Sequence, residues 1–281
     1  MQSLPETPEL TPPTDLSGHL WVQELSTGGR LRFQVTAAGG LAFATPDETD
    51  TTVTALSAPY RRAAWRLREA LDRDAVRSAV DDPETITFVG RATWNEGVDY
   101  PWRDVPAFLG SDVWSDRTDR FLPPDAATAA FERLGVPTLP AVAKEQPVSR
   151  TDLSQYTDPD GFPSSAWRDG RAAGVLLRDK TGTRAQAWRP VTTATGPDRD
   201  DPSVADVVTR HATEERIAET VARLDATEYA PSVEAVRDRV VADITRERYP
   251  ELYRDGDPVV SMRALDSAIA ESVQRYLADR P

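Results

Sequence analysis

The chain has 281 residues and a formal net charge of −13 at pH 7, from 46 acidic and 33 basic residues. It contains no cysteine, which excludes disulfides, thiolate zinc sites and cysteine nucleophiles. A chain of this length can bury a sizeable core in one large domain or in two smaller ones, and we favour two.

The positive charges are almost all arginines, because Lys144 and Lys180 are the only lysines. An acidic composition with so little lysine is typical of proteins that stay soluble in high salt, so it predicts a halophilic protein and does not point to a particular partner. Because binding that depends on phosphate contacts weakens as salt rises, any contact with RNA would require a local patch of arginines.

Further features limit the class of protein. The two histidines, His19 and His211, are far apart in the sequence, which argues against a histidine-rich metal site and a histidine-based triad. Residues 1–15 lack the basic and apolar regions of a signal peptide, and no run approaches the roughly 18 apolar residues of a membrane span. The sequence therefore predicts a cytoplasmic protein with no membrane segment.

The N-terminal part of the chain predicts a short sheet. Residues 1–17 are rich in proline and polar residues, so an extended lead-in is expected. Two apolar runs, at 20–25 and 31–35, lie on either side of Ser-Thr-Gly-Gly, and the two glycines can take the positive φ values of a tight turn. This pattern predicts a hairpin, which a third run at 41–44 would extend into an antiparallel meander.

The middle of the chain alternates between helix and strand. Apolar residues at near-helical spacing over 60–80 predict an amphipathic helix. Strands are predicted at 86–92 and 107–114, followed by a short helix at 125–134 and an extended segment at 136–142. Alternation in the second strand predicts one buried face, made of Phe108, Gly110, Asp112 and Trp114.

The last third of the chain begins with a hairpin and ends in helices. Runs at 173–178 and 184–189 predict a second hairpin around the turn Asp-Lys-Thr-Gly. Apolar residues then recur every four positions, which predicts helices at 202–224, 231–249 and 259–277.

These elements predict the α+β fold class, with antiparallel sheets followed by an all-helical region. We divide the chain into the lead-in at 1–17, a domain at 18–195 and a helical C-terminal domain at 196–281. The second boundary follows the change in composition after residue 195.

The order of the elements resembles the RNA ligase family of covalent nucleotidyltransferases. A glycine turn, a helix, the strand Phe-Val-Gly-Arg, an aromatic-Asp strand, Gly-Val-Leu-Leu-Arg and Ala-Trp-Arg-Pro follow one another over roughly residues 5–195. The helical end resembles the C-terminal domains that some of those ligases carry. The resemblance implies a nucleotidyltransferase fold that binds ATP and Mg²⁺ and acts on RNA ends.

The first family motif, Lys-x-Asp-Gly-x-Arg, aligns with residues 25–30. In this family the lysine attacks the α-phosphate of ATP and forms a phosphoramidate. Gly28 and Arg30 match the motif, but Leu25 stands at the nucleophile position and Thr27 at that of the ribose-binding aspartate. Leucine cannot form the phosphoramidate.

The third motif and the aromatic-Asp motif are altered as well. The glycine and glutamate of the third motif align with Gly90 and Arg91, which reverses the charge. The aromatic-Asp motif keeps Asp112, and Phe108 or Trp114 would have to stack on the adenine.

The last two motifs also lose their charged residues. The fourth motif, Glu-Gly-Val-Val, aligns with 173–176, where Ala173 replaces the glutamate and Gly174 is kept. The fifth, Lys-x-Lys or Lys-x-Arg before proline, aligns with 187–190 and loses its first lysine, also if the alignment shifts by one to Gln186. Framework residues persist while charged ones are replaced, which is the pattern of a degenerate ligase.

Four arginines, Arg30, Arg91, Arg178 and Arg189, are expected to converge on a phosphate or RNA-end site, since guanidinium groups match the geometry of phosphate oxygens. No catalytic residue and no metal ligand is assigned. The residues that the resemblance implies for nucleotide binding, if that binding is retained, are Glu24, Gly28, Arg30, Gly90, Arg91, Phe108, Asp112, Gly174, Arg178 and Arg189.

Three hypotheses follow. The one we favour is a catalytically impaired RNA ligase-like protein that binds a nucleotide or an RNA end, with ATP and Mg²⁺ as cofactors only if the family's binding is retained. The second is an active ATP-dependent RNA ligase whose chemistry has moved to Lys144 or Lys180. The third is a non-enzymatic interaction protein with a filled pocket, whose helical domain docks a protein partner.

Overall fold

The computed structural model describes residues 1–11, 14–190, 201–226 and 229–280. The strands are β1 (His19–Leu25), β2 (Gly28–Val35), β3 (Leu41–Ala44), β4 (Ile86–Thr93), β5 (Phe108–Ser115), β6 (Arg120–Phe121), β7 (Ala141–Pro147), β8 (Gly174–Asp179), β9 (Arg184–Trp188), β10 (Tyr253–Arg254) and β11 (Asp257–Pro258). The helices are α1 (Ala58–Ala70), α2 (Arg73–Ala79), α3 (Pro124–Arg133), α4 (Val204–His211), α5 (Glu214–Asp225), α6 (Val233–Glu247), α7 (Tyr249–Leu252) and α8 (Met262–Ala278). The predicted domain boundary at residue 195 lies outside the described residues.

Two antiparallel sheets form the first two thirds of the chain. One has the strand order β7-β1-β8-β9 and the other the order β3-β2-β4-β5-β6, while β10 and β11 form a small ribbon between α7 and α8. The antiparallel sheets and the C-terminal helices confirm the predicted α+β class. Within the described ranges, no helix combines the length and the apolar character needed to cross a lipid bilayer.

The predicted hairpin over 20–35 is wrong, because β1 and β2 lie in different sheets. β1 lies between β7 and β8, and β2 lies between β3 and β4, so both sides of each strand are already paired. Ser26 and Thr27 lead the chain from one sheet to the other, and the Thr27 hydroxyl donates to the Trp94 carbonyl at 2.6 Å. The pairing of β2 with β3 confirms the rest of the predicted meander.

Gly28 is required where the chain enters β2. Its φ is +128°, and a Cβ atom there would lie 2.0 Å from the carbonyl oxygen of Ala92. We therefore expect Gly28→Ala to lower the free energy of unfolding, measured in urea, by about 3 kcal/mol. Gly182→Ala is the control, since Gly182 has a φ of +102° and its added Cβ would meet no described heavy atom within 4 Å. It should cost only about 1 kcal/mol, and equal losses would contradict the steric argument.

Two of the predicted helices are each divided by a capping residue. The helix expected at 60–80 is α1 and α2, because the Asp72 side chain accepts from the Ala75 amide and starts a second helix. The helix expected at 202–224 is α4 and α5, where Thr213 caps in the same way through the Arg216 amide. Single helices confirm the expectations at 125–134, 231–249 and 259–277.

A bulge in β5 breaks the predicted alternation. Gly110 pairs with Gly90 and Asp112 pairs with Val89, so Ser111 is an extra residue on this strand. Phe108 and Val113 therefore face the core of the domain, whereas Asp112 and Trp114 face the other side. The prediction of one buried face from Phe108 to Trp114 is wrong, since a bulge reverses the faces that follow it.

Helices cover the outer face of the five-stranded sheet. Phe33 and Phe88 stack there with ring centroids 4.9 Å apart, and Phe131 of α3 meets Phe88 edge to face. On the four-stranded sheet, the outer face packs against Tyr156 and Phe162 from the loops before β8. The inner faces of the two sheets oppose each other, and the cleft between them holds the candidate site.

The C-terminal helices pack against α1 and the loop before β5 through α6. Two ion pairs join α6 to α1, Arg239 to Glu69 at 2.9 Å and Arg62 to Asp243 at 2.6 Å. Arg246, near the end of α6, reaches the last residue of β4 and the loop that follows it, where it donates to the carbonyls of Thr93 and Val105. This loop leads to β5, so the helical region supports a strand that forms the cleft.

Candidate nucleotide or phosphate site

A pocket of about 290 Å³ lies between the inner faces of the two sheets. Leucines form its floor and arginines form one wall, and a segment from the N-terminus crosses its opening. The floor includes Leu25, Leu139 and Leu176, and the cationic wall consists of Arg30, Arg32 and Arg91. A site with an apolar floor and a cationic wall suits a ligand that has one apolar and one anionic part.

Leu25, at the end of β1, lies in the floor of this pocket. Its side chain is 4% exposed and packs against Leu109, Leu139 and Leu176. Strand alternation directs it toward the cleft. The position that the resemblance assigns to the nucleophile therefore opens on the pocket, and the hydrocarbon side chain there can only make van der Waals contacts.

Arginines on neighbouring strands form the cationic wall. Arg30 of β2 and Arg91 of β4 stand directly opposite each other across the strand pair, and Arg32 lines the pocket two residues along β2. Burial, followed by the charge of Arg32, lowers the pKa of Arg30. The repulsion between Arg30 and Arg32 favours an anionic ligand that would relieve it.

Arg91 has an incompletely satisfied guanidinium group. Its Nη2 donates to the Gly28 carbonyl at 2.5 Å, and the guanidinium carbon lies 4.4 Å from the centroid of the Trp188 ring. Burial lowers the pKa of Arg91 to about 10. Its buried Nε has no hydrogen-bond acceptor among the described residues, and an unpaired buried donor is unfavourable until a ligand or water satisfies it.

Asp112 belongs to a buried ion cluster that joins the two sheets. Its Oδ1 accepts from Arg178 at 2.8 Å and pairs with Arg184 at 3.1 Å, while its Oδ2 accepts from Ser111 at 2.8 Å. Burial acts to raise the pKa of Asp112, but Arg184 and Arg178 outweigh it and hold the pKa at about 2. Arg178 is 2% exposed and also donates to Gln23. This cluster makes the back of the pocket rigid.

Four of the ten predicted site residues line the pocket, namely Arg30, Gly90, Arg91 and Asp112. Arg178 lies directly behind Asp112. Gly28 and Gly174 support the walls through close packing, since added Cβ atoms would meet Ala92 and Trp188.

The remaining three predicted site residues lie away from the pocket. Glu24 follows the opposite alternation to Leu25, and its carboxylate accepts from the Tyr100 and Ser165 hydroxyls and the Ala166 amide. Phe108 faces the core because of the β5 bulge. Arg189 donates to the Ala172 carbonyl at 3.3 Å. The expected convergence of Arg30, Arg91, Arg178 and Arg189 is therefore only partial.

Both lysines lie outside the pocket. Lys180, in the turn between β8 and β9, pairs with Glu145 at 2.9 Å, and half of its side chain is exposed. The amino group of Lys144 lies 4.5 Å from the centroid of the Trp21 ring. Neither residue is among those that line the cleft around Leu25.

Two contributions to the pocket were not among the predicted site residues. Arg32 follows Arg30 at the strand period of two, a signal that could have placed both on one face. The second contribution is residues 2–11, which we call the N-terminal strap. Arg30 donates to the Pro5 carbonyl at 3.1 Å and Arg32 to the Gln2 carbonyl at 2.7 Å, contacts that no local pattern indicates.

The residues of the pocket do not fit a divalent metal ion. Such an ion requires free oxygen ligands, and both carboxylate oxygens of Asp112 are already engaged by arginines and a serine. Glu6, on the strap, is the other carboxylate that lines the cavity. In the part of the chain that the structure describes, no group of three or more His, Cys, Asp or Glu residues could hold a metal.

No protein-family model matches the chain, and no curated protein matches it. Among solved structures it is similar to an archaeal ATP-dependent RNA ligase in two forms, with 14% and 15% identity and TM-scores of 0.49 and 0.48. The matches cover 99% and 100% of this chain but 66% and 65% of those chains. An RNA ligase of Naegleria gruberi with PPi is 13% identical, with a TM-score of 0.43, over 61% of this chain and 50% of that one.

The chain thus spans about two thirds or less of the length of these ligases. Because identity is so low, function has to be argued from the residues of the pocket itself.

Proposed function

We propose that this protein is an RNA ligase-like protein that binds a phosphate-bearing ligand, either a nucleotide or the phosphorylated end of an RNA, without forming a covalent adduct. The observation that carries this proposal is that Leu25 and the arginines Arg30 and Arg91 line one cavity. The pocket keeps cationic groups suited to phosphate and lacks a nucleophilic atom at the place that the resemblance assigns to the lysine.

The charges and surfaces around the cavity support this assignment. Arg30, Arg32 and Arg91 contribute three positive charges to its lining, and the charge of Asp112 is compensated by two further arginines behind it. A phosphate oxygen could accept from the N–H groups of Arg30 and Arg32 that are not bonded to the strap carbonyls. The leucine floor would contact the apolar face of a base or ribose.

We expect AMP to raise the melting temperature of the protein in molar KCl, because a ligand that binds only the native state stabilises it by about 2.7 kcal/mol at a concentration of one hundred times Kd. Arg30→Ala should weaken AMP binding by at least about tenfold, since hydrogen bonds to charged groups contribute roughly 1.5–3 kcal/mol. Arg133→Ala, at an exposed position on α3, is the control and should leave the shift unchanged. An equal shift in Arg30→Ala and the unmodified protein would contradict the site.

Intact mass spectrometry after incubation with ATP and Mg²⁺ tests the absence of a covalent step. We expect the mass of the protein to stay unchanged, because Leu25 offers no nucleophile and both lysines lie outside the cleft. A gain of one AMP would overturn this part of the proposal. If that adduct disappeared in Lys144→Ala or Lys180→Ala, the protein would instead be an active ligase that uses the substituted lysine as its nucleophile.

A second candidate function is that of an interaction protein with a filled pocket. Ala173, at the position of the fourth-motif glutamate, is fully buried against Val98, Tyr100 and Trp102. This close packing leaves no space for a ligand beside Ala173, which favours the filled pocket. It predicts no melting shift with any nucleotide. A melting shift with AMP would therefore contradict the filled pocket.

A further inference from the structure

We propose that the N-terminal strap is a specificity element of the pocket, which restricts the site to ligands with a single phosphate group and disfavours a polyphosphate chain. This inference rests on the proposed function, because it names the class of phosphate ligand that the same pocket accepts. Three properties of the strap carry it, namely its anchoring, its use of arginine donors and its charge.

The strap is anchored to both sheets across the opening of the cleft. Leu4 is 6% exposed and packs against Val89, Trp114 and Phe121 on the five-stranded sheet. On the other side, the strap pairs with β9, where the Gln186 amide donates to the Pro8 carbonyl at 2.9 Å and the Leu10 amide donates to the Gln186 carbonyl at 2.6 Å. The strap is therefore a fixed wall of the pocket.

The strap takes up donors that a longer phosphate chain would need. Arg30 and Arg32 each donate an N–H to a strap carbonyl, on Pro5 and Gln2. These bonds leave part of each guanidinium group, together with Arg91, for the ligand. One phosphate group can be satisfied by such a set, but the additional oxygens of a triphosphate would have to displace the strap carbonyls.

Glu6 adds an opposing charge on the same side of the cavity. It lines the pocket with Ser3 and Thr7, and the negative charge of its carboxylate acts to raise the pKa of Arg30. A single phosphate group carries a charge of about −1.5 to −2 at neutral pH, which the arginine wall can balance. A triphosphate would place further negative charge next to Glu6. The cavity of about 290 Å³ also lies at the lower end of the roughly 300–1,000 Å³ that is typical of small-molecule sites.

Calorimetric titration of the full chain with AMP and with ATP, both without divalent metal, tests the inference. We expect AMP to bind at least about tenfold more tightly than ATP, as one unfavourable charge contact near a protein surface would produce. Glu6→Gln should reduce this ratio and Glu6→Arg should bring it to about one, mainly by strengthening ATP binding. Glu6 is exposed, so these variants keep the folded structure.

Glu9→Gln is the matched control. It makes the same change of charge on the same strap, but Glu9 contacts the Gln186 side chain at 2.8 Å and does not line the cavity. This variant should keep the ratio of the unmodified protein.

The remaining outcomes separate the two proposals. Binding of both nucleotides with a ratio that the Glu6 variants leave unchanged would overturn the role of the strap, and the proposed function would stand. Equal affinity for AMP and ATP in the unmodified chain would overturn it as well. If neither nucleotide binds to the unmodified chain or to any variant, the nucleotide-binding form of the proposed function fails, and the inference fails with it.

Discussion

Arg246→Ala is expected to lower the free energy of unfolding by about 4 kcal/mol, because it removes the donors of several buried carbonyl groups at once. The Arg246 side chain is 5% exposed, and it donates to the Val105 carbonyl at 2.6 Å, to the Thr93 carbonyl at 3.0 Å and to the Trp102 carbonyl. An unsatisfied buried acceptor costs about 1–3 kcal/mol. Urea unfolding followed by tryptophan fluorescence would measure the loss.

Two further variants test the geometric part of this prediction. Arg246→Lys should restore less than half of the lost stability, since an ammonium group cannot reproduce the planar set of donors. Arg263→Ala, at an exposed position on α8, should change stability by less than about 0.5 kcal/mol. If Arg246→Ala were as mild as this control, Arg246 would not join the helical region to the sheet domain.

Asp112→Asn is expected to cost about 3–5 kcal/mol, because it leaves two buried guanidinium groups without a compensating charge. Arg178 and Arg184 are both buried, and Asp112 is itself 3% exposed. Asp104→Asn, at an exposed position, serves as the control and should be nearly neutral. A small loss in Asp112→Asn would mean that solvent reaches the cluster.

The same carboxylate should make stability depend on pH in the acid range. Its pKa is about 2 in the folded protein against 3.8 for an ordinary aspartate, so the unfolded chain binds more protons between these values. The contribution of Asp112, about 2 kcal/mol, is therefore complete above the higher value and is lost as pH falls through the lower one. Urea unfolding at a series of acid pH values should show a steeper decline in the unmodified protein than in Asp112→Asn.

Local patterns predicted most elements of the fold because each pattern depends only on neighbouring residues. The short runs at β4, β8 and β9 and the four-residue spacing in α6 and α8 were enough to identify these elements. The partners of β1 could not be predicted, because strand pairing depends on distant segments such as β7 and β8. A glycine pair between two apolar runs is compatible with a hairpin and equally with a crossing between sheets.

The candidate site was only partly predictable for the same reason. Alignment with the family motifs placed Leu25, Arg30 and Arg91 in one pocket. Arg30 and Arg91 pair across the neighbouring strands β2 and β4, and Leu25 ends β1 on the opposing sheet. The alignment was wrong about Phe108. The extra residue Ser111 places Phe108 on the opposite face of β5 from Asp112. The alignment also failed for the strap, whose contacts depend on backbone carbonyls and carry no sequence signature.

The pairing of the strap with β9 has a consequence for solubility that does not depend on any ligand. β9 is an edge strand, and an edge with free backbone groups can recruit a strand from another molecule and start aggregation. Many proteins prevent this with charged side chains, but at about 1 M salt the repulsion between such charges is screened beyond about 3 Å. Pro8 and Leu10 instead occupy the hydrogen-bonding groups of Gln186. This protection by backbone pairing would persist in concentrated salt, where electrostatic repulsion between molecules is weakest.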